Sequence, residues 1–196
     1  MRLIAFGDSF VAGVGDPDHL GWIGRALAGR ADVTLYNLGV RRETSADIAR
    51  RWRREAAPRW TDAEPMRLVF SFGANDARIE GGAPVLAPAA SLKAAAEILR
   101  EAQGLCPVLL VAAPPCGDDA HVARIAALND AFRDLAAQLR VRFLDVHAAL
   151  AAEGTWRAEA AAGDGAHPGA GGYRVMAAQV TAHPAWSAFL DRRAAH

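Results

Sequence analysis

Short apolar runs alternate with segments in which apolar residues recur every three or four positions. The apolar runs are rich in β-branched, aromatic or leucine residues and are too short for buried helices, which predicts strands. They cover residues 3–6, 33–36, 68–72, 108–111 and 141–146. Alternating strands and helices predict right-handed βαβ units and a parallel sheet covered on both faces. We therefore expect an α/β, flavodoxin-like three-layer sandwich with a five-stranded parallel sheet, in strand order 2-1-3-4-5.

Other local signals refine this outline. Thr44 followed by Asp47 three residues later resembles a capping box that opens a helix. Residues 81–84 predict a loop, and the alanine-rich stretch 153–163 predicts a long loop or an irregular helix. Because no repeat or linker is evident, we expect one domain over residues 1–196.

Charge and length limit the functional classes. The chain has 196 residues, 52% of them hydrophobic, with 22 basic and 22 acidic side chains. A formal charge of zero argues against nucleic acid or an anionic membrane as partners. Arginines cluster at 41–42 and 50–54 with acidic residues interleaved among them, which predicts a solvated helix face.

The two cysteines, Cys106 and Cys116, match no zinc-binding pattern and are too few for a disulfide framework. We expect free thiols in a reducing compartment. The sequence shows no signal-peptide pattern and no apolar stretch of transmembrane length, which favours a cytoplasmic protein.

Polar residues follow several of the predicted strands. Ser9 follows the first strand, Gly39 the second, Asn75 the third and Cys116 the fourth. Ligands of open parallel sheets bind beyond the carboxyl ends of the strands, where the winding direction reverses. These motifs are therefore expected to converge, although they are distant in sequence.

Taken singly, these residues also have structural interpretations. Ser9 could cap a helix, and Asn75 could belong to an Asx turn. His167 has Asp164 three residues before it, so a carboxylate could accept its Nδ1–H and leave Nε2 to take a proton from a serine. The remaining histidines lack such a context and are predicted to be structural or at the surface: His19, His121, His147, His183 and His196.

Other uses of the same groups are open. Asp8, Asp76, Asp164 and His167 could in principle hold a divalent ion, but no metal-ligand spacing supports a metal site. A flavin- or phosphate-binding protein of similar topology and a non-catalytic binding module remain alternatives. No dinucleotide fingerprint, Walker A motif or α/β-hydrolase nucleophile elbow is present.

Four motifs resemble, in order, those of the GDSL family of the SGNH hydrolases, which are serine esterases and lipases. They are Gly7-Asp8-Ser9-Phe10, Asn37-Leu38-Gly39, Gly73-Ala74-Asn75-Asp76 and Asp164-Gly165-Ala166-His167-Pro168. Phe10 stands where the family name has leucine, and the residues after Gly39 depart from the small, polar residues common in the family.

The resemblance implies a Ser9–His167–Asp164 triad and an oxyanion hole of Ser9, Gly39 and Asn75, with no cofactor or metal. The implied substrates are small carboxylic esters; a thioesterase, lysophospholipase or carbohydrate deacetylase would use the same site. Specificity is expected in loops 11–20, 76–86, 114–121 and 153–163. A modest apolar acyl pocket is expected from Phe10, Val14, Ile79, Val85 and Trp156.

Overall fold

A five-stranded parallel sheet forms the centre of the computed structural model, which describes residues 1–191. The strands, with a two-stranded hairpin outside the sheet, are β1 (Arg2–Gly7), β2 (Thr34–Gly39), β3 (Met66–Ser71), β4 (Ile79–Glu80), β5 (Ala83–Pro84), β6 (Val108–Val111) and β7 (Arg142–Leu144). The sheet order is β2-β1-β3-β6-β7, while β4 and β5 pair antiparallel. Counting only the sheet strands, this order is 2-1-3-4-5, so the predicted topology is confirmed.

Helices cover both faces of the sheet. They are α1 (Ser9–Ala12), α2 (Gly21–Ala26), α3 (Ser45–Ala56), α4 (Pro88–Gln103), α5 (Asp119–Leu139), α6 (His147–Ala151), α7 (Gly154–Ala162), α8 (Ala170–Ala182) and α9 (Pro184–Leu190). A 3₁₀ turn, Ala57–Arg59, follows α3. Among residues 1–191, no helix has both the length and the apolar content to cross a membrane.

Alternation along each strand divides the core in two. Leu3 and Ala5 of β1 pack on the face covered by α2 and α8, whereas Ile4 and Phe6 pack on the face covered by α3 and α4. Successive side chains of a strand point to opposite faces, so a strand buried on both sides reads as a continuous apolar run. This explains why the buried strands were detectable in the sequence.

Helix α3 begins with the expected capping box, but one arginine of its predicted solvated face is buried. Thr44 Oγ1 accepts a hydrogen bond from Asp47 N at 3.3 Å, and Asp47 Oδ2 accepts one from Thr44 N at 2.9 Å, so the capping box is present. However, Arg51 in the predicted solvated face is buried. Its guanidinium binds the carboxylates of Glu43 and Glu55 and the Leu38 carbonyl oxygen.

Three further expectations need correction. The stretch 153–163 is a regular helix, α7, because Glu153 caps its first turn and Trp156 anchors it in the core. Arg41 and Arg42 lie in a turn before α3 rather than on a helix face. Residues 81–84 form the turn and second strand of the β4–β5 hairpin. His196 lies outside the described residues.

Candidate active site

The carboxyl ends of the sheet strands bring the distant motifs together. Ser9 begins α1 two residues after β1 ends, and Asn75 lies four residues beyond β3. His167 reaches the same edge from the segment between α7 and α8. Parallel register places the ends of β1, β2 and β3 side by side, with Gly7 paired to both Gly39 and Ser71.

Ser9, His167 and Asp164 form a continuous hydrogen-bonded chain. His167 Nε2 lies 2.7 Å from Ser9 Oγ, and His167 Nδ1 lies 2.7 Å from Asp164 Oδ2. Ser9 is 5% exposed, so its hydroxyl reaches solvent only through the cavity it lines. A carboxylate can only accept a hydrogen bond, so the Asp164 contact puts the proton of a neutral imidazole on Nδ1 and leaves Nε2 as the acceptor for Ser9.

Asp164 remains ionised far below neutral pH. Partial burial would raise its pKa, but hydrogen bonds from the backbone N–H and imidazole of His167 and from Ala166 N–H outweigh burial. They lower the pKa of Asp164 to about 2. The carboxylate is therefore available to orient His167.

Phe10 fixes the other side of the imidazole. Its ring centroid lies 4.9 Å from that of His167 and 6.1 Å from that of Trp156. Trp156 donates its indole N–H to the Pro115 carbonyl oxygen at 2.9 Å. The histidine is thus held by a carboxylate at one edge and by aromatic packing on its face.

Asn75 is oriented by the turn before α3. The strand β3 leads to Asn75 through Gly73, whose φ of +124° is a conformation that favours glycine. Asn75 Nδ2 donates one hydrogen to the Glu43 carbonyl oxygen at 3.0 Å. The amide carries two hydrogens, so the second can serve a ligand in the cavity that Asn75 lines.

Two buried carboxylates support these positions without belonging to the hydrogen-bonded chain. Asp8 Oδ1 accepts from Phe10 N at 2.9 Å, while Asp76 accepts from both Ser45 N and Ser45 Oγ. Burial raises the pKa of Asp8 to about 7. The hydrogen bond from the Phe10 N–H lowers this pKa, and the negative charge of Asp76 raises it, but burial has the largest effect. Burial also raises the pKa of Asp76, more than the Ser45 hydrogen bonds lower it.

Gly39 lies against the first turn of α1, which carries Ser9. Its N–H donates to Asn37 Oδ1 at 3.1 Å, and Gly39 is not among the cavity-lining residues. A Cβ at position 39 would lie 2.2 Å from Ala12 N and 2.8 Å from the Asp8 carbonyl oxygen. The glycine is needed because α1 packs closely on the end of β2.

The cavity around Ser9 has a volume of about 340 Å³. Besides the predicted site residues, its lining includes Arg41 and Arg42, which the sequence did not assign to the site. It also includes Arg78, Gly117 and His121, which lie in loops where specificity was expected. His121 Nε2 lies 2.8 Å from the Ala74 carbonyl oxygen, and burial lowers the pKa of His121. His121 therefore joins the first turn of α5 to the Asn75 loop, in keeping with its predicted structural role.

A second cavity of about 200 Å³ adjoins the first. Both are lined by Cys116, Gly117 and Gly165. The rest of the second lining is mostly apolar, with Pro115, Ala160 and Trp156 among its walls, and its one charged residue among residues 1–191, Arg157, is paired with Asp119. Cys116 is a free thiol, and burial raises its pKa to about 12.

The expected acyl pocket is only partly assembled. Phe10 lines the first cavity and Trp156 the second. Ile79 is an exposed residue of the β4–β5 hairpin, and neither Val14 nor Val85 lines either cavity. The apolar wall instead comes from α7 and the loop after β6.

The acidic residues weighed as metal ligands have other partners. Asp8 caps α1, Asp76 binds Ser45, and Asp164 binds His167. Within the described part of the chain, no group of three or more His, Cys, Asp or Glu side chains is arranged to hold a metal ion.

Comparison with known proteins identifies the family. The family model of the GDSL-like lipase/acylhydrolase family matches residues 5–175, most of the chain and all of the elements that carry the site. The chain belongs to this family. The GDSL resemblance read from the four motifs is thereby confirmed, and the chain is a hydrolase of the GDSL type. No curated protein matches its sequence.

Solved structures share the fold at low sequence identity. A lipolytic G-D-S-L family protein from Veillonella parvula is 19% identical, with 92% of this chain and 96% of that chain covered and a TM-score of 0.72. A lipase/acylhydrolase from Enterococcus faecalis is 22% identical, with 92% and 94% covered and a TM-score of 0.73. An acetylxylan esterase from Geobacillus stearothermophilus is 17% identical, with 91% of each chain covered and a TM-score of 0.71. At these identities the likeness concerns the fold.

Proposed function

We propose that this GDSL hydrolase cleaves small carboxylic esters through an acyl-enzyme on Ser9. The observation that carries the proposal is the pair of 2.7 Å contacts that join Ser9 Oγ to His167 Nε2 and His167 Nδ1 to Asp164. A nucleophile, a base within hydrogen-bonding distance and a group that orients the base are what acyl transfer by a serine requires.

The reaction follows from these contacts. His167 Nε2 accepts the Ser9 proton as Oγ attacks the ester carbonyl carbon, and the carbonyl oxygen becomes an oxyanion. When the tetrahedral intermediate collapses, the imidazolium donates that proton to the leaving alcohol. Water, deprotonated by the same nitrogen, then attacks the acyl-enzyme, releases the acid and restores Ser9.

Two donors support the oxyanion. The backbone N–H of Ser9 lies in the first turn of α1, where helix geometry supplies no acceptor for it. The second donor is the Asn75 amide hydrogen that Glu43 does not use. Gly39 N–H donates to Asn37 Oδ1 at 3.1 Å in an exposed hydrogen bond, and Gly39 would become a third donor if the oxyanion replaced that acceptor.

The decisive experiment replaces Ser9 by alanine. Hydrolysis of nitrophenyl esters should fall on the order of 10⁶-fold in kcat, since loss of such a nucleophile removes the covalent route. An organophosphonate should label Ser9 in the wild type. The Ser187→Ala variant, which changes an exposed serine of α9, should keep both activity and labelling.

The substrate panel separates the functions that share this site. Nitrophenyl esters of rising chain length, acyl-CoA thioesters, lysophospholipids and acetylated sugars are compared by kcat/KM. A Ser9→Ala variant that is folded and retains near-normal turnover would refute the nucleophile assignment. A wild-type protein that turns over no member of the panel would favour a non-catalytic binding module.

A further inference from the structure

Three arginines line the cavity that holds Ser9: Arg41, Arg42 and Arg78. Arg78 forms an ion pair with Glu80 of the β4–β5 hairpin. Neither the Arg41 nor the Arg42 side chain has a hydrogen-bond, ion-pair or aromatic partner within residues 1–191, and both residues are exposed. Two uncompensated positive charges therefore border the nucleophile.

The backbone at Arg42 is unusual for its residue type. Its φ of +66° lies in the left-handed region, which glycine adopts without a steric cost and arginine does not. The turn is held at its far end by Asn75, which donates to the Glu43 carbonyl oxygen, and by the Thr44–Asp47 cap. A strained residue at a cavity wall points to a use for that residue, because glycine would serve the turn better.

Carboxylates do not neutralise this end of the cavity. Among the lining residues the only carboxylate is that of Asp164, which is bound to His167. Glu43, next to Arg42 in sequence, directs its carboxylate to Arg51 instead. A cleft lined by one sign of charge attracts ligands of the other sign.

Strand order places the charged and apolar walls on opposite sides of the nucleophile. The Arg41–Arg42 turn follows β2, and the loop containing Cys116 follows β6. Ser9 and Asn75 follow β1 and β3, which lie between them in the order β2-β1-β3-β6-β7. The two parts of an ester extend in opposite directions from its carbonyl carbon, so one part faces the arginines and the other the apolar cavity.

We propose that the natural esters carry an anionic group, a carboxylate or a phosphate, on one side of the ester carbonyl, and that Arg41 and Arg42 bind it. The other side of the ester then lies in the mostly apolar cavity beside Cys116, Trp156 and Ala160. This assignment rests on the proposed esterase function. It concerns the selectivity of the site, whereas the triad concerns its chemistry.

The test compares matched esters in one enzyme preparation. The first pair is 4-acetoxybenzoate and its methyl ester, which differ in charge on the alcohol part. The second pair is monophenyl succinate and methyl phenyl succinate, which differ in charge on the acyl part. For each pair the ratio of kcat/KM for the anionic ester to that for the neutral ester is measured, and this ratio is independent of how much enzyme is folded.

The double variant Arg41→Gln/Arg42→Gln should lower the ratio for one of the two pairs by about 2- to 30-fold, the range expected for loss of two exposed ion pairs. A fall for the first pair places the anion on the alcohol part, and a fall for the second pair places it on the acyl part. The control is Arg54→Gln/Arg100→Gln, which removes the same charge from exposed positions on α3 and α4 and should leave both ratios unchanged. Added salt should reduce the wild-type preference, since exposed charges are screened.

Unchanged ratios for both pairs in the Arg41→Gln/Arg42→Gln variant would overturn the proposal. So would an equal fall in the control variant, which would indicate a long-range field rather than binding by these two arginines. These outcomes leave the esterase function intact. Failure of the wild type to hydrolyse any of the four esters would instead count against the esterase function itself.

Discussion

Asp8 offers a direct test of the electrostatics at the active site. Its carboxyl group is 2% exposed, accepts the Phe10 N–H, and has a pKa raised by burial from the ordinary 3.8 to about 7. The Asp8→Asn substitution keeps an oxygen that can accept from Phe10 and removes the ionisation. Stability should therefore depend on pH differently in the two proteins.

The sign and size follow from linkage. A carboxyl with a raised folded-state pKa holds its proton longer in the folded protein, so its contribution to stability is present below pH 3.8 and is lost as the pH rises through about 7. A shift of this size corresponds to about 4 kcal/mol, since one pKa unit is about 1.4 kcal/mol. Roughly 3 kcal/mol of this loss falls between about pH 5 and about pH 8.5.

The assay is urea unfolding of the wild type and of Asp8→Asn at these two pH values. The unfolding free energy of the variant minus that of the wild type should grow by about 3 kcal/mol from the lower to the higher pH. Asp62→Asn, which alters an exposed carboxylate, serves as the control and should show no such growth. A difference between Asp8→Asn and wild type that is the same at both pH values would refute the claim that the pKa of Asp8 is raised in the folded protein.

Two further predictions concern the reaction. Asn75→Ala should lower kcat by about 10²- to 10³-fold with little change in KM, because the free amide hydrogen binds the oxyanion rather than the ground-state ester. An effect confined to KM would mean that Asn75 only positions the substrate. Asp164→Asn should lower kcat/KM and move the acidic limb of its pH profile to lower pH. The reason is that the Asp164 carboxylate, with a pKa of about 2, supports the imidazolium throughout the assay range. A limb that stays in place would remove that electrostatic role.

The sequence predicted the sheet well because its strands are buried on both faces. Leu68, Val69 and Phe70 of β3 are all fully buried, so the strand is a continuous apolar run. The same physics explains what was missed. Helix α7 combines a buried Trp156 with alanines and several exposed positions, and this gives no strong periodic signal.

The contacts among Ser9, His167 and Asp164 were predictable because these residues belong to short motifs of specific composition at positions fixed by the fold. Gly39 shows the limit of that reasoning. A glycine after a strand can be required either by a ligand or by another backbone segment that packs closely against it. Only the position of Ala12 N shows that close packing requires Gly39 here.

Arg41 and Arg42 show a second limit. In the sequence they adjoin acidic residues, which is typical of a solvated face. Charge balance along the chain says nothing about pairing in space, and Glu43 binds Arg51 across the turn rather than its neighbour Arg42. The amino-acid sequence also gives no sign that Arg42 has a positive φ. The cationic end of the cavity could therefore be found only from coordinates.

The two buried carboxylates connect the stability of the fold to the precision of the site. Asp8 holds the first turn of α1, which carries Ser9, and Asp76 holds Ser45 at the start of α3, next to the turn that carries Arg42. Both groups have raised pKa values because of burial, so the folded state is less stable at alkaline pH than it would be with neutral amides in their place. Replacing Asp8 by asparagine should therefore stabilise the protein while testing whether the hydrogen bond to Phe10 alone suffices to position Ser9. If kcat is unchanged in that variant, the geometry of the α1 turn depends on the hydrogen bond and not on the carboxylate charge.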